Sequence, residues 1–283
     1  MAPSGSIVCG VDHSAGARAA ARFAAAIADR LGSRLVLVHV VQPPIPQTEL
    51  GMAARRTDRH VIEELQSAGA ALLEEVAKEL VSREVVAELK FGEASGSIAG
   101  VAEETRAEFL VVGSRGLGSM SALLLGSTSL WLAGHAPCPT VVVPESGGTT
   151  TDAPLLCAVD DSEESRAAVA TAAKLAERLD VELVLVHAEP DGARVSAAEE
   201  LLARLVAERG LGTSPARIVA EREPAEGIVE TAAARGVEMI VIGSRGRGAL
   251  ASAALGSVSS AVATRAPCPV MIVRADTGSS VGG

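Results

Sequence analysis

One glycine pattern is written twice in this chain at the same internal spacing. Gly113-Ser114-Arg115-Gly116, then nine residues, then Gly126-Ser127 returns as Gly243-Ser244-Arg245-Gly246, nine residues, and Gly256-Ser257. Each copy directly follows an apolar, β-branched run, residues 109–112 in the first half and 239–242 in the second. A buried strand feeding a glycine-rich loop bares backbone N–H groups at a sheet end, which is how α/β proteins hold phosphate. One copy alone is as well explained by tight turns. Two copies at one spacing favour a phosphate ligand and a duplicated α/β fold.

The duplication runs along the whole chain. Asp12 aligns with Asp160, Cys9 with Cys157 and His39 with His187 at an offset of 148. Gly113 with Gly243, Gly126 with Gly256 and Cys138 with Cys268 align at 130, which leaves 148 − 130 = 18 extra residues in the first half. Most of these fall within 42–58, where Pro43, Pro44 and Pro46 precede Arg55 and Arg56, a stretch that reads as a long surface loop or lid. Around it, strands at 7–11, 35–41, 85–90, 109–112 and 140–143 alternate with helices at 15–31, 59–81, 96–106 and 127–135. The second half repeats this with strands at 155–159, 181–187, 217–220, 239–242 and 270–273, and helices at 166–179, 196–209, 225–235 and 256–265. Continuous Val/Ile/Leu strands between helices predict parallel sheets covered on both faces, hence two tandem doubly wound, Rossmann-like domains. The expected boundaries are 1–146 for the first domain, 147–153 for a linker, 154–275 for the second domain and 276–283 for a disordered tail.

Composition excludes several function classes. The net charge of −10 argues against a nucleic-acid partner, as do the few aromatics (three Phe, one Trp, no Tyr). Apolar runs such as 34–41 are too short to span a membrane, and the first residues lack a basic segment followed by an apolar core, so the cytoplasm is the expected compartment. The four cysteines form no Cys-x-x-Cys pair and read as buried thiols, and the five dispersed histidines show no metal-ligand spacing.

Ligands of a doubly wound sheet bind beyond the carboxyl ends of the strands, where the winding reverses. Asp12 and Asp160 stand there after the first strand of each half, suited to accept from ribose or adenine donors or to hold a divalent cation brought in with phosphates. Ser114, Gly118 and Ser119 would add small, close donors, and Arg115 and Arg245 charge-assisted contacts to terminal phosphates. Gly126-Ser127-Thr128 begins a helix whose free N–H groups and dipole favour an anion. No Gly-x4-Gly-Lys-Ser/Thr occurs, and the turn Asp12-His13-Ser14 lacks Gly-x-Gly-x-x-Gly, so neither a P-loop nor an ordinary dinucleotide fold is expected. His39 and His187 have no nucleophile partner and read as structural histidines.

Gly-x2-Gly-x9-Gly-Ser after the fourth strand, Asp after the first and the Ala-Pro-Cys-Pro turns at 136–139 and 266–269 together resemble the ATP-binding universal stress proteins, here in tandem form. The resemblance implies a five-stranded sheet in each half, ATP bound with or without Mg2+, and a homodimer. It implies adenine contacts at Val40 and Ala188, and a nucleotide close to Gly10 and its repeat partner Ala158. The loop candidates it adds are Gly113, Gly116, Leu117 and Gly126 in the first half. In the second they are Gly243, Ser244, Gly246, Arg247, Gly248, Ala249, Gly256, Ser257, Val258 and Ser259. The expected function is nucleotide-dependent regulation of stress response, growth or dormancy through an unknown protein partner, without a catalytic constellation. An adenylyl-transfer enzyme of related fold and a scaffold with empty loops are the alternatives. The adenylyl-transfer reading lacks a His-x-Gly-His or Ser-Gly-Gly-x-Asp-Ser element after the first strand.

Overall fold

Short apolar strands and amphipathic, Ala-rich helices alternate along the chain. The structure, a computed structural model, describes residues 5–42, 59–80, 84–116, 125–147, 152–209, 215–246 and 255–276. The first half runs β1 (Ser6–Gly10), α1 (Ala15–Leu31), β2 (Arg34–Val41), α2 (Arg59–Glu79), β3 (Val85–Phe91), α3 (Ala94–Glu104), β4 (Phe109–Gly113), α4 (Ser127–His135) and β5 (Thr140–Val143). The second runs β6 (Leu155–Ala158), α5 (Glu163–Leu179), β7 (Leu183–Ala188), α6 (Val195–Arg209), β8 (Ala216–Ala220), α7 (Pro224–Arg235), β9 (Met239–Gly243), α8 (Ser257–Arg265) and β10 (Val270–Val273). The 42–58 loop beyond Gln42 and the tail beyond Asp276 lie outside the described residues.

Two helices start earlier than expected because side chains cap them. The Glu93 carboxylate accepts from Ser95 N and Gly96 N, so α3 starts at Ala94 rather than at 96. The Ser162 hydroxyl accepts from Ser165 N, so α5 starts at Glu163 rather than at 166.

Within each half all strand pairs are parallel, and both halves share one order. The strands form a single ten-stranded sheet, β3-β2-β1-β4-β5-β10-β9-β6-β7-β8. Alternate side chains feed two cores. Ile7, Cys9, Leu35 and Leu37 pack with α1, α2, α5 and α6 on one face. Val8, Val36, Val38 and Leu110 pack with α3, α4, α7 and α8 on the other.

The two halves meet along their last strands. β5 and β10 pair antiparallel, with Met271 opposite Val141 at the centre. Because residue 271 is the repeat partner of 141, the pairing is symmetric. Ion pairs repeat that symmetry on one face. Arg30 reaches both carboxylate oxygens of Glu238 at 2.7 and 2.8 Å and the Leu179 carbonyl at 3.2 Å. Its repeat partner Arg178 reaches Glu108, the repeat partner of Glu238, and the Leu31 carbonyl at 3.4 Å. Such reciprocity defines an isologous interface, here inside one chain.

All four cysteines are buried. Burial pushes the Cys138 and Cys268 thiols up to about 12 and raises Cys9 and Cys157 as well. A thiol so raised carries almost no thiolate near neutrality. We therefore expect no reaction with an aromatic disulfide reagent at about pH 8 in the folded protein and four equivalents in denaturant. Rapid labelling of any thiol before unfolding would contradict this.

Candidate functional site

The strand order brings β1 beside β4, with α1 packed on one face of the sheet and α4 on the other. Their carboxyl ends open on a cavity of about 660 Å³, a size suited to a small-molecule ligand. Gly10, Asp12, Val40, Gly113, Arg115, Gly116, Gly126, Ser127 and Thr128 all line it. Leu117, Gly118 and Ser119 lie outside the described residues. Ser114 does not line the cavity. It is 6% exposed, and its amide donates to the Val143 carbonyl at 2.7 Å. The loop's first serine therefore anchors the sheet end behind the cavity wall.

The glycines serve different needs. At Gly113 an added Cβ would stand 2.7 Å from the Gly16 carbonyl carbon and 2.8 Å from its oxygen, so this glycine lets α1 pack against the end of β4. At Gly116 it would stand 2.6 Å from an Asp12 carboxylate oxygen. The other Asp12 oxygen accepts the Ser14 N–H at 2.9 Å, so the carboxylate sits between the first turn and the glycine loop.

The amino end of α4 is built differently from those of α1, α3 and α5. Those three carry side-chain caps from Ser14, Glu93 and Ser162. At α4 the N-cap is Gly126, with no side-chain cap, and the helical bonds begin only with Leu130 N to Gly126 O at 2.9 Å. The first-turn amides of Ser127, Thr128 and Ser129 thus precede the ladder. The same chain shows what a helix start does to an anion: the Gly96 and Ser95 amides hold the Glu93 carboxyl below its ordinary range.

Sequence reasoning missed part of the wall. Ser129 lines the cavity and ties α4 to the loop, its hydroxyl donating to the Gly113 carbonyl at 2.7 Å. Its repeat partner Ser259, already a candidate, makes the same bond to Gly243 at 2.6 Å, so the offset of 130 was the available signal. Val38, Ala94, Ile98 and Leu125 supply an apolar side that no motif marked. His39 lines the cavity, with Nδ1 2.8 Å from the Val11 carbonyl; His187 repeats this with Val159 at 2.7 Å.

The second half keeps the frame. Ser244 N donates to Val273 O at 2.7 Å, and an added Cβ at Gly246 would stand 2.7 Å from an Asp160 carboxylate oxygen. Gly256 caps α8 without a side chain, ahead of Ser257, Val258 and Ser259. Ala158 and Ala188 end β6 and β7 where Gly10 and Val40 stand in the first half. Arg245 pairs with Glu164 at 3.2 Å. Arg247, Gly248 and Ala249 lie outside the described residues. Among the described residues no group of three His, Cys, Asp or Glu side chains is placed to hold a metal ion, and no helix is long and apolar enough to cross a membrane.

The universal stress protein family matches residues 4–144 and 153–274, one copy over each half. The chain belongs to the universal stress protein family. A universal stress protein of Mycolicibacterium smegmatis is 34% identical over 300 aligned positions, covering 95% of this chain and 96% of the relative. The crystal structure of a universal stress protein from Archaeoglobus fulgidus covers 96% of this chain and 99% of its own, with a TM-score of 0.71 and 22% identity, and shares the tandem fold. A shorter universal stress protein from the same organism, solved in complex with dAMP, covers 44% of this chain at 27% identity and a TM-score of 0.36.

Proposed function

We propose that this universal stress protein binds ATP at the first crevice, with a repeat of that site in the second half, and that the bound nucleotide sets a conformation or contact read by a protein partner. The observation that carries the reading is the glycine-capped α4, whose uncapped first turn borders the 660 Å³ cavity. That turn offers amides and a positive dipole end to phosphate. The apolar side formed by Val38, Val40 and Ile98 suits a base, and Asp12 and Arg115, which also line the cavity, suit a ribose hydroxyl and a phosphate respectively. A divalent cation would arrive on the phosphates, with Asp12 the nearest carboxylate to meet it. The proposed compartment is the cytoplasm. Regulation rather than turnover is the proposed output: at the crevice Nδ1 of His39 faces the Val11 carbonyl and one Asp12 oxygen accepts the Ser14 amide, contacts that hold both side chains against the backbone. A homodimer, if formed, would need a surface other than β5 and β10, since these strands pair with each other.

Trp131 sits on α4, 39% exposed and stacked on the His135 ring at 4.7 Å. We expect ATP to change its fluorescence with a micromolar midpoint and calorimetry to give the same affinity. No heat, no fluorescence change and no co-purified adenine nucleotide would exclude the reading.

A further inference from the structure

The repeat lets the two crevices be compared residue by residue, and they differ most in charge at the turn after the first strand. Asp12-His13-Ser14-Ala15-Gly16 in the first half becomes Asp160-Asp161-Ser162-Glu163-Glu164 in the second. Asp161 is answered within the protein by Arg166 at 2.6 Å and Arg204 at 2.9 Å, and Glu163 is exposed. Glu164 is different. Its side chain is only 16% exposed, and one carboxylate oxygen lies 3.2 Å from Nη2 of Arg245. Arg245 is the repeat partner of Arg115, which lines the first cavity. Opposite Arg115 the corresponding position is Gly16, which brings no carboxylate, and an added Cβ there would stand 2.8 Å from the Arg115 carbonyl oxygen.

We propose that Glu164 makes the second crevice select against highly charged nucleotides, so that the two sites of one chain rank adenine ligands by phosphate charge. This rests on the nucleotide reading above. A triphosphate entering the second crevice meets a carboxylate already holding the arginine that would answer its terminal charge. It must displace Glu164 into a low-dielectric wall or lie beside it, and either course weakens binding as phosphates are added. A neutral nucleoside meets neither penalty. Glu164 is thus a specificity-determining residue: the first crevice takes the triphosphate, and the second takes ligands of low charge.

Equilibrium dialysis in divalent-free buffer, with ATP and adenosine as probes and Trp131 fluorescence marking the first site, tests this. For the native protein we expect ATP affinities differing by about tenfold or more between the sites and adenosine affinities within about twofold. Glu164→Gln should bring the second ATP to within about threefold of the first while the Trp131 titration stays put. Glu164→Ala, checked for helix content by circular dichroism, should do the same. Two equal ATP sites in the native protein would overturn the proposal. So would adenosine separating the sites as ATP does, since that points to the shape difference at Ala158 and Ala188. A gap that survives both substitutions would overturn it too. Failure of every adenine ligand to bind would instead remove the nucleotide reading, and this proposal with it.

Discussion

Arg30→Ala is expected to cost about 3 kcal/mol of folding stability, well above the loss from Glu238→Gln, although both break the same ion pair. The Glu238 side chain is 6% exposed and that of Arg30 18%. Removing the guanidinium strands a buried carboxylate, whereas a glutamine there still offers an oxygen to Arg30 and carries no charge to desolvate. Burial holds the Glu238 carboxyl above its ordinary range, with Arg30 pulling it down and Asp152 pushing it further up. A carboxyl raised on folding binds its proton more tightly in the folded chain. Its contribution is therefore fully present below the ordinary carboxylate range and is lost as the pH rises through the raised value. Glu238→Gln removes that loss, so the variant should gain on the native protein between about pH 4 and about pH 7. Urea unfolding at both pH values measures this. Equal losses for the two variants, or a native advantage that grows with pH, would refute it.

Gly113→Ala is expected to lose about 3 kcal/mol, and Gly116→Ala under about 1 kcal/mol, although the two glycines sit in one motif. The new methyl at 113 meets the backbone of Gly16 and Ala17 at 2.7–3.0 Å, which yields only if α1 moves off the sheet. The methyl at 116 meets the end of the Asp12 side chain at 2.6 Å, which rotates away. Thermal unfolding of the two variants decides the matter, and comparable losses would show that the close contact at 113 relaxes cheaply. Gly116→Ala is accordingly the better probe of ligand binding, because it shifts Asp12 while leaving the fold in place.

The order of elements was legible because each half writes its strands as continuous Val/Ile/Leu runs and closes its helices with recognisable stops, such as Gly32 and Gly236 in the left-handed region. Helix starts were less legible, since Glu93 and Ser162 act through side-chain bonds that periodicity does not register. Edge-to-edge pairing of the last strands within one chain was not legible in the sequence. Nothing in an apolar run such as Thr140-Val-Val-Val143 tells a strand whether its free edge meets its own chain or another. At the site, the glycine loop and Asp12 lie at the cavity that the strand order opens. Which amides the loop keeps for itself did not show, because Ser114 and Ser127 look alike in sequence. The first is held by the Val143 carbonyl, and the second opens an uncapped helix.

The reciprocal Arg30–Glu238 and Arg178–Glu108 contacts have a consequence for how the halves diverge. Two identical subunits must accept every substitution in duplicate, so a change useful at one pocket is forced on the other. Covalent fusion lifts that constraint: each half can vary alone while its partner continues to supply the complementary surface. A glutamate at 164 is tolerated, whereas one at 16 would press on the Arg115 carbonyl. One polypeptide can therefore carry two unlike pockets on a symmetric frame.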